Sequence, residues 1–275
     1  MLYEYNLVAC IIHLVLGIGF MIYFPYINNK YPNNPQQGIE LSIRDHVLQL
    51  DMDVNKNVST YWESQENAAP GIETVQTMIV AFFFITAAFH LYYATSQRYE
   101  IMINAQNNYV RWIEYSITST LMLYVIALLC GTKDQNIYYL IGVTNIVMIA
   151  QGQQIEVDVH DGRSPLVPLV SSWALLLAEF GVIARDYTNR LQQARAFGDT
   201  HPTATLQQVP SWVSLMIIVL FLFFSCFGAV SLWSAYQGNS YSYETIETMY
   251  IILSLTAKAT LGFFVAYGCS IRQSQ

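Results

Sequence analysis

Residues 249–268 read MYIILSLTAKATLGFFVAYG, an apolar run broken by one charge, Lys258. A stretch of about 20 apolar residues crosses the ~30 Å hydrocarbon core of a bilayer as a helix. Lys258 lies near its middle, too deep for its stem to carry the ammonium to either interface. An ionisable group at that depth costs ~2.5–3.5 kcal/mol on insertion scales and is kept where it has a partner or a task. Two explanations stand side by side. Lys258 is held in a buried ion pair, or its desolvated amine condenses with an aldehyde to give a Schiff base whose proton needs a nearby anion. Both require a carboxylate on a neighbouring span, and Glu114, within RWIEYSITSTLM (111–122), supplies one.

The rest of the chain agrees with a membrane setting. Of its 275 residues, 54% are hydrophobic and 11% charged, against ~25% charged in soluble domains. Windows long enough to span fall near 5–27, 72–95, 109–130, 137–155, 165–185, 210–236 and 243–270. The fold class expected is therefore all-α: a seven-helix transmembrane bundle forming a single domain over 1–275. Short connections such as QGNSYS (237–242) make neighbouring spans antiparallel. The N-terminus lacks a basic n-region and a small-residue cleavage site, so its apolar run is read as a retained first span. The net charge of −7, without a basic stripe, argues against nucleic acid as a partner; the partner expected is the lipid bilayer. The four cysteines have neither CxxC spacing nor nearby metal ligands, so no metal is expected. No enzymatic activity is expected either.

The long connection 28–71 alternates at Ile39, Leu41 and Ile43, and again at Leu48, Leu50, Met52 and Val54, a period of two that predicts a β-hairpin over one mouth of the bundle.

Residues four apart share a helix face. Three such pairs, Thr86 with His90, Glu114 with Thr118, and Ser254 with Lys258, predict one polar chamber along the bundle axis. Each hydroxyl has an alternative use, bonding to its own i−4 carbonyl or to a neighbouring helix. His13 adds an imidazole on the first span. Two histidines facing one chamber would make a proton-accepting cluster, since imidazole titrates near neutrality, whereas each alone would be a structural donor. Glu179 lies within two turns of the expected end of the fifth span. It is read either as an interfacial partner of Arg185 or as a proton relay.

Taken together, RWIEYSITSTLM (111–122) and SLTAKATL (254–261) resemble the heliorhodopsins, and the likeness extends over all seven spans, the long first loop and TNIVMIAQG (144–152). The resemblance implies all-trans-retinal as cofactor, bound as a protonated Schiff base on Lys258, with Glu114 as the sole carboxylate counterion and Thr118 and Ser254 hydrogen-bonding around it. It implies that His13, Thr86 and His90 form the polar cluster that handles the released proton. Met122, Asn145, Met148, Ile149 and Gly152 would line the polyene, and Trp173 and Phe221 are added from position and shape. A homodimer and a signalling partner are implied in the same way.

Orientation sets two rules against each other. Arg98, Arg111 and Arg163 fall in the even-placed connections, whereas Lys30, Arg44, Lys56, Lys133, Arg185, Arg190, Arg195 and Arg272 fall in the odd-placed ones and the tail. The positive-inside rule would put the N-terminus outside. The resemblance implies the reverse, a cytoplasmic N-terminus, an extracellular first loop and an extracellular C-terminus, and the glycosylation sequon Asn57-Val58-Ser59 agrees with it.

An outward proton pump of the ordinary kind would place a second acid one turn before the lysine and a donor three turns after the third-span acid. Ser254 and Val125 stand there instead. The function expected is light absorption driving a photosensory conformational change. The alternative is a light-activated proton transporter or channel using Glu179 and the His13/His90 cluster. A colourless membrane protein, with Lys258 merely ion-paired, is the remaining possibility.

Overall fold

The computed structural model describes residues 1–30, 43–52, 58–67, 72–132, 134–200, 211–236 and 242–270. These form α1 (Leu2–Lys30), β1 (Ile43–Met52), β2 (Val58–Asn67), α2 (Ile72–Thr95), α3 (Gln97–Asn104), α4 (Tyr109–Cys130), α5 (Gln135–His160), α6 (Leu166–Thr200), α7 (Ser211–Tyr236) and α8 (Tyr243–Ser270). All helices but α3 join one bundle, whose ring runs α1, α2, α4, α5, α6, α7, α8 and closes on α1. Such a ring brings α8 and α4 to face each other across the interior.

Among the described residues, six helices are long and apolar enough to cross a membrane; the chain is an integral membrane protein. The exception is α5, whose 26 residues would reach ~39 Å at helical rise. Its apolar run is diluted by polar side chains that turn inward. Asn145, wholly buried, donates to Ser119 Oγ at 2.8 Å and Thr120 Oγ1 at 2.7 Å on α4. In hydrocarbon such a group must find its partners inside the protein.

Local signals set the helix ends around the site. Asn108 caps α4 by accepting from the Arg111 backbone N–H at 3.3 Å. Gly131, at φ +82°, stops it in the left-handed conformation that glycine adopts without a Cβ penalty. Asp134 caps α5, accepting from Asn136 N–H at 2.8 Å. Two features depart from expectation. α6 runs on to Thr200 rather than ending near 185, because residues 186–197 contain neither proline nor glycine. α3, hidden in a polar connection, forms behind the Ser96 cap because Tyr99, Met102 and Ile103 bury one face.

β1 and β2 pair antiparallel, Ile43 opposite Asn67 and Met52 opposite Val58. Ile39, Leu41, Val54 and the sequon's Asn57 lie outside the described residues.

The main core is built by Phe82 and Phe83 on α2, Leu123 and Ile126 on α4, and Leu220 on α7. Fully burying each such side chain is worth ~1.5–3 kcal/mol against water, but against lipid the driving force is close packing.

Candidate functional site

Lys258 projects from α8 into the bundle axis, 3% exposed. Its Nζ donates to Ser254 Oγ at 2.6 Å, one turn back on the same face, and to Glu114 Oε1 on α4 at 3.3 Å. Glu114 is 2% exposed. The Tyr115 ring lies 5.4 Å from Nζ, within cation–π range. Thr118 comes to the same place, but its hydroxyl donates to the Glu114 backbone carbonyl at 3.1 Å and not to the lysine. This is the i−4 use of a helical hydroxyl.

An apolar cavity extends from Lys258 between α4, α5, α6, α7 and α8. Met122, Met148, Ile149, Gly152 and Trp173 line it, as the sequence suggested. Asn145 and Phe221 do not. Asn145 sits behind Ser119, holding that lining residue through hydrogen bonds, and Phe221 packs on Phe180 with ring centroids 5.3 Å apart. Residues the sequence reading left out complete the walls, notably Trp112, Tyr115, Phe224, Phe227 and Gly228.

Two glycines shape the cavity as a slot. A Cβ at Gly152 would run into the Trp112 ring, and one at Gly228 would lie 2.9 Å from Trp173 Cζ2. Each missing side chain lets an indole lie against a helix backbone. A lone glycine within a helix costs ~1 kcal/mol against alanine, so Gly228 in FFSCFGAVSLW was a signal available in the sequence.

Beside this slot, His13 on α1 and His90 on α2 stack with ring centroids 5.2 Å apart, both within Coulombic reach of Lys258. Their hydrogen bonds settle which nitrogens carry protons. His13 Nδ1 lies 2.8 Å from the Ala9 carbonyl, which only accepts, so Nδ1 carries the hydrogen. Asn6 donates through Nδ2 to the Leu2 carbonyl at 2.9 Å, which orients its amide and makes Oδ1 the acceptor for His90 Nδ1 at 2.7 Å. In the neutral imidazoles both Nε2 atoms are then bare lone pairs. Neither has a hydrogen-bond partner, and the buried Thr86 and Tyr93 hydroxyls also lack one. Unsatisfied buried polar atoms gathered in this way mark a site for water.

A second polar cluster was not anticipated. Arg111, expected as a charge of an even-placed connection, is buried in the first turn of α4. Its two terminal nitrogens bind Glu247 of α8 and Glu156 of α5, and its guanidinium lies 4.1 Å from the Tyr250 ring centroid. Trp112 Nε1 donates to Glu156 at 3.0 Å and Asn108 Nδ2 to Glu247 at 3.0 Å. Nothing in the linear spacing of Arg111, Glu156 and Glu247 announces that they meet.

Glu179 faces inward from α6, 3% exposed. Among the described residues neither carboxylate oxygen has a hydrogen-bond partner. Thr144 on α5 is the hydroxyl in its surroundings, but that hydroxyl already donates to the Leu140 and Ile141 carbonyls. Arg185 is exposed and does not pair with it. α6 lies across the ring from α1 and α2, so Glu179 is not brought against His13 or His90. No group of three or more His, Cys, Asp or Glu among the described residues has the geometry to hold a metal ion.

The profile described as Heliorhodopsin matches residues 2–270. No curated protein matches. Among solved structures, the fold is similar to that of a thermophilic rhodopsin, with TM-score 0.60 and 12% identity over 98% of this chain and 92% of that one. It is also similar to a light-driven proton pump from Leptosphaeria maculans, with TM-score 0.53 and 10% identity over 97% and 95% of the two chains. A third is the transmembrane domain of a rhodopsin phosphodiesterase from Salpingoeca rosetta, with TM-score 0.55 and 13% identity over 95% and 83%. At such identities the likeness is one of fold.

Proposed function

The chain belongs to the heliorhodopsin family, and on that premise we propose that it is a light-absorbing photosensor that binds all-trans-retinal covalently on Lys258. The observation that carries this reading is the position of Lys258: a buried amine, paired with a single buried carboxylate, at the mouth of an apolar slot. The residues present fit a flat polyene. Trp112 and Trp173 stand against glycine-bared backbone, Met122 and Met148 supply adaptable walls, and the lysine waits at one end.

When bound as a protonated Schiff base, retinal supplies light absorption and a change of shape. The chain's own residues do the rest. Glu114 holds an anion opposite the Lys258 nitrogen, and Ser254 accepts a hydrogen bond from that nitrogen. Thr118 is held by the Glu114 carbonyl and shapes the site without touching it. The two bare Nε2 atoms of His13 and His90, with Thr86, take up a proton that leaves the lysine site. The slot is apolar and keeps bulk water from the linkage. The inverted orientation, a homodimer and a signalling partner rest on the family resemblance and are proposed on that ground.

The test is the visible spectrum of the purified protein after expression with all-trans-retinal, beside Lys258→Ala. A visible band present in the wild type and absent from the variant supports the reading. A folded, colourless wild type returns Lys258 and Glu114 to a plain buried ion pair.

One observation favours a second reading, a light-activated proton transporter or channel. Glu179 is a deeply buried carboxyl, and among the described residues neither of its oxygens has a hydrogen-bond partner. Photocurrents under voltage clamp that Glu179→Gln abolishes would make it part of a path; illuminated cells carrying no current would leave the sensor.

A further inference from the structure

Arg111, Glu156 and Glu247 are all buried, and their formal charges do not cancel: one guanidinium faces two carboxylates. With both acids ionised the cluster carries a net charge of −1 away from water. An uncompensated buried charge is worth several kcal/mol of destabilisation. The surroundings supply neutral donors only, Trp112, Asn108, Tyr243 and Tyr99, together with the Tyr250 ring over the guanidinium. These ease the charge without neutralising it. One proton shared between the two carboxyls would neutralise it. Arg111 Nε, buried and without a partner, faces this interior as well.

A continuous line of hydrogen bonds joins this cluster to the histidine pair, and every donor in it points the same way. His90 Nδ1 donates to Asn6 Oδ1 at 2.7 Å. Asn6 Nδ2 donates to the Tyr99 hydroxyl oxygen at 3.2 Å, and Tyr99 donates to Glu247 Oε2 at 3.4 Å. An amide is a poor proton carrier, so Asn6 passes polarity and not the proton itself. A positive charge on the histidine pair strengthens each donor in turn and favours the ionised form of Glu247. The line crosses four elements, α2, α1, α3 and α8, and its Tyr99 anchors α3, the helix outside the membrane-spanning ring.

We propose that the Glu156–Arg111–Glu247 cluster holds one exchangeable proton in the dark and that the His90–Asn6–Tyr99 line ties that proton to the charge on the histidine pair. This deepens the photosensory reading and, in its second half, rests on it: the chamber's protonation state is reported at the end of the bundle where α3 meets α8, without a proton crossing the membrane.

Infrared spectroscopy tests both halves, the first without any chromophore. In the retinal-free protein in the dark, the wild type is expected to show one carboxylic-acid C=O stretch that is lost in Glu247→Gln and equally in Glu156→Gln, because either change leaves one carboxylate against one guanidinium. Both variants are near-isosteric, so if one fails to fold the other still reports. A carboxylic-acid spectrum of a folded Glu247→Gln or Glu156→Gln variant that loses no band relative to the wild type overturns the shared proton. In the retinal-loaded protein, the light-minus-dark spectrum is expected to contain a change in that same band, reduced at least tenfold in Tyr99→Phe, which removes only the hydroxyl. An undiminished change in Tyr99→Phe overturns the coupling. Loss of all visible absorption with the dark band intact would instead tell against the retinal reading and leave the proton site standing.

Discussion

Lys258 on α8 and Glu114 on α4 meet at 3.3 Å across the bundle, both side chains almost wholly buried. Residues 144 positions apart in the chain thereby form an ion pair whose lysine lines the apolar slot. Breaking such a pair from one side leaves the other charge unpaired in low dielectric, at a cost of ~3–5 kcal/mol.

For Glu114 this gives a direct expectation. Glu114→Ala removes the anion facing the lysine nitrogen, so the visible band of the retinal-loaded protein should collapse toward the near ultraviolet. A high concentration of a small anion should restore it, because the vacated carboxyl space lies beside the Lys258 nitrogen. Absorption spectra with and without added anion decide it, and a variant whose band stays in place would remove Glu114 as counterion.

The two glycines make a steric prediction. Gly152→Ala and Gly228→Ala put a Cβ into Trp112 and Trp173 respectively, which narrows the slot without disturbing the lysine. The ratio of visible to ultraviolet absorbance after reconstitution should fall several-fold in each, with helical circular dichroism retained. Unaltered chromophore yield in both would mean that retinal lies elsewhere.

At the second cluster, Arg111→Gln leaves Glu156 and Glu247 facing each other without a cation. The expected loss is ~3–5 kcal/mol, read as a lower midpoint in thermal unfolding in detergent. Combining it with Glu156→Gln and Glu247→Gln should recover most of that loss, since no buried charge then remains. A single variant as stable as the wild type would show that the arginine is not what holds the two acids.

Glu179 predicts the opposite sign. With neither oxygen hydrogen-bonded, burial of this carboxyl is a liability, so Glu179→Met should leave stability unchanged or raise it by about 1 kcal/mol. Thermal unfolding of the folded variant is the check. A marked loss of stability would reveal a polar partner that the static packing does not contain.

The spans were legible in the sequence because a bilayer imposes a length and an apolarity that any window can register, and α2, α4 and α8 end where that reading put them. Lys258 and Glu114 were legible for the same reason, since an ionisable group at membrane depth stands out against its neighbours. Helical periodicity also placed Ser254 beside Lys258. It put Thr118 one turn from Glu114, where its hydroxyl donates to its own helix; whether a hydroxyl does that or donates across the bundle depends on rotamer and neighbours. Short-range rules reach only a turn or two along one helix. What joined Asn6 to His90, Asn145 to Ser119, and Arg111 to both Glu156 and Glu247 was the order and rotation of helices around the ring, set by the packing of many side chains at once. That rotation turns Arg111 from a loop charge into a buried centre and sets Glu179 across the bundle from the histidines, and no spacing within a single span contains it.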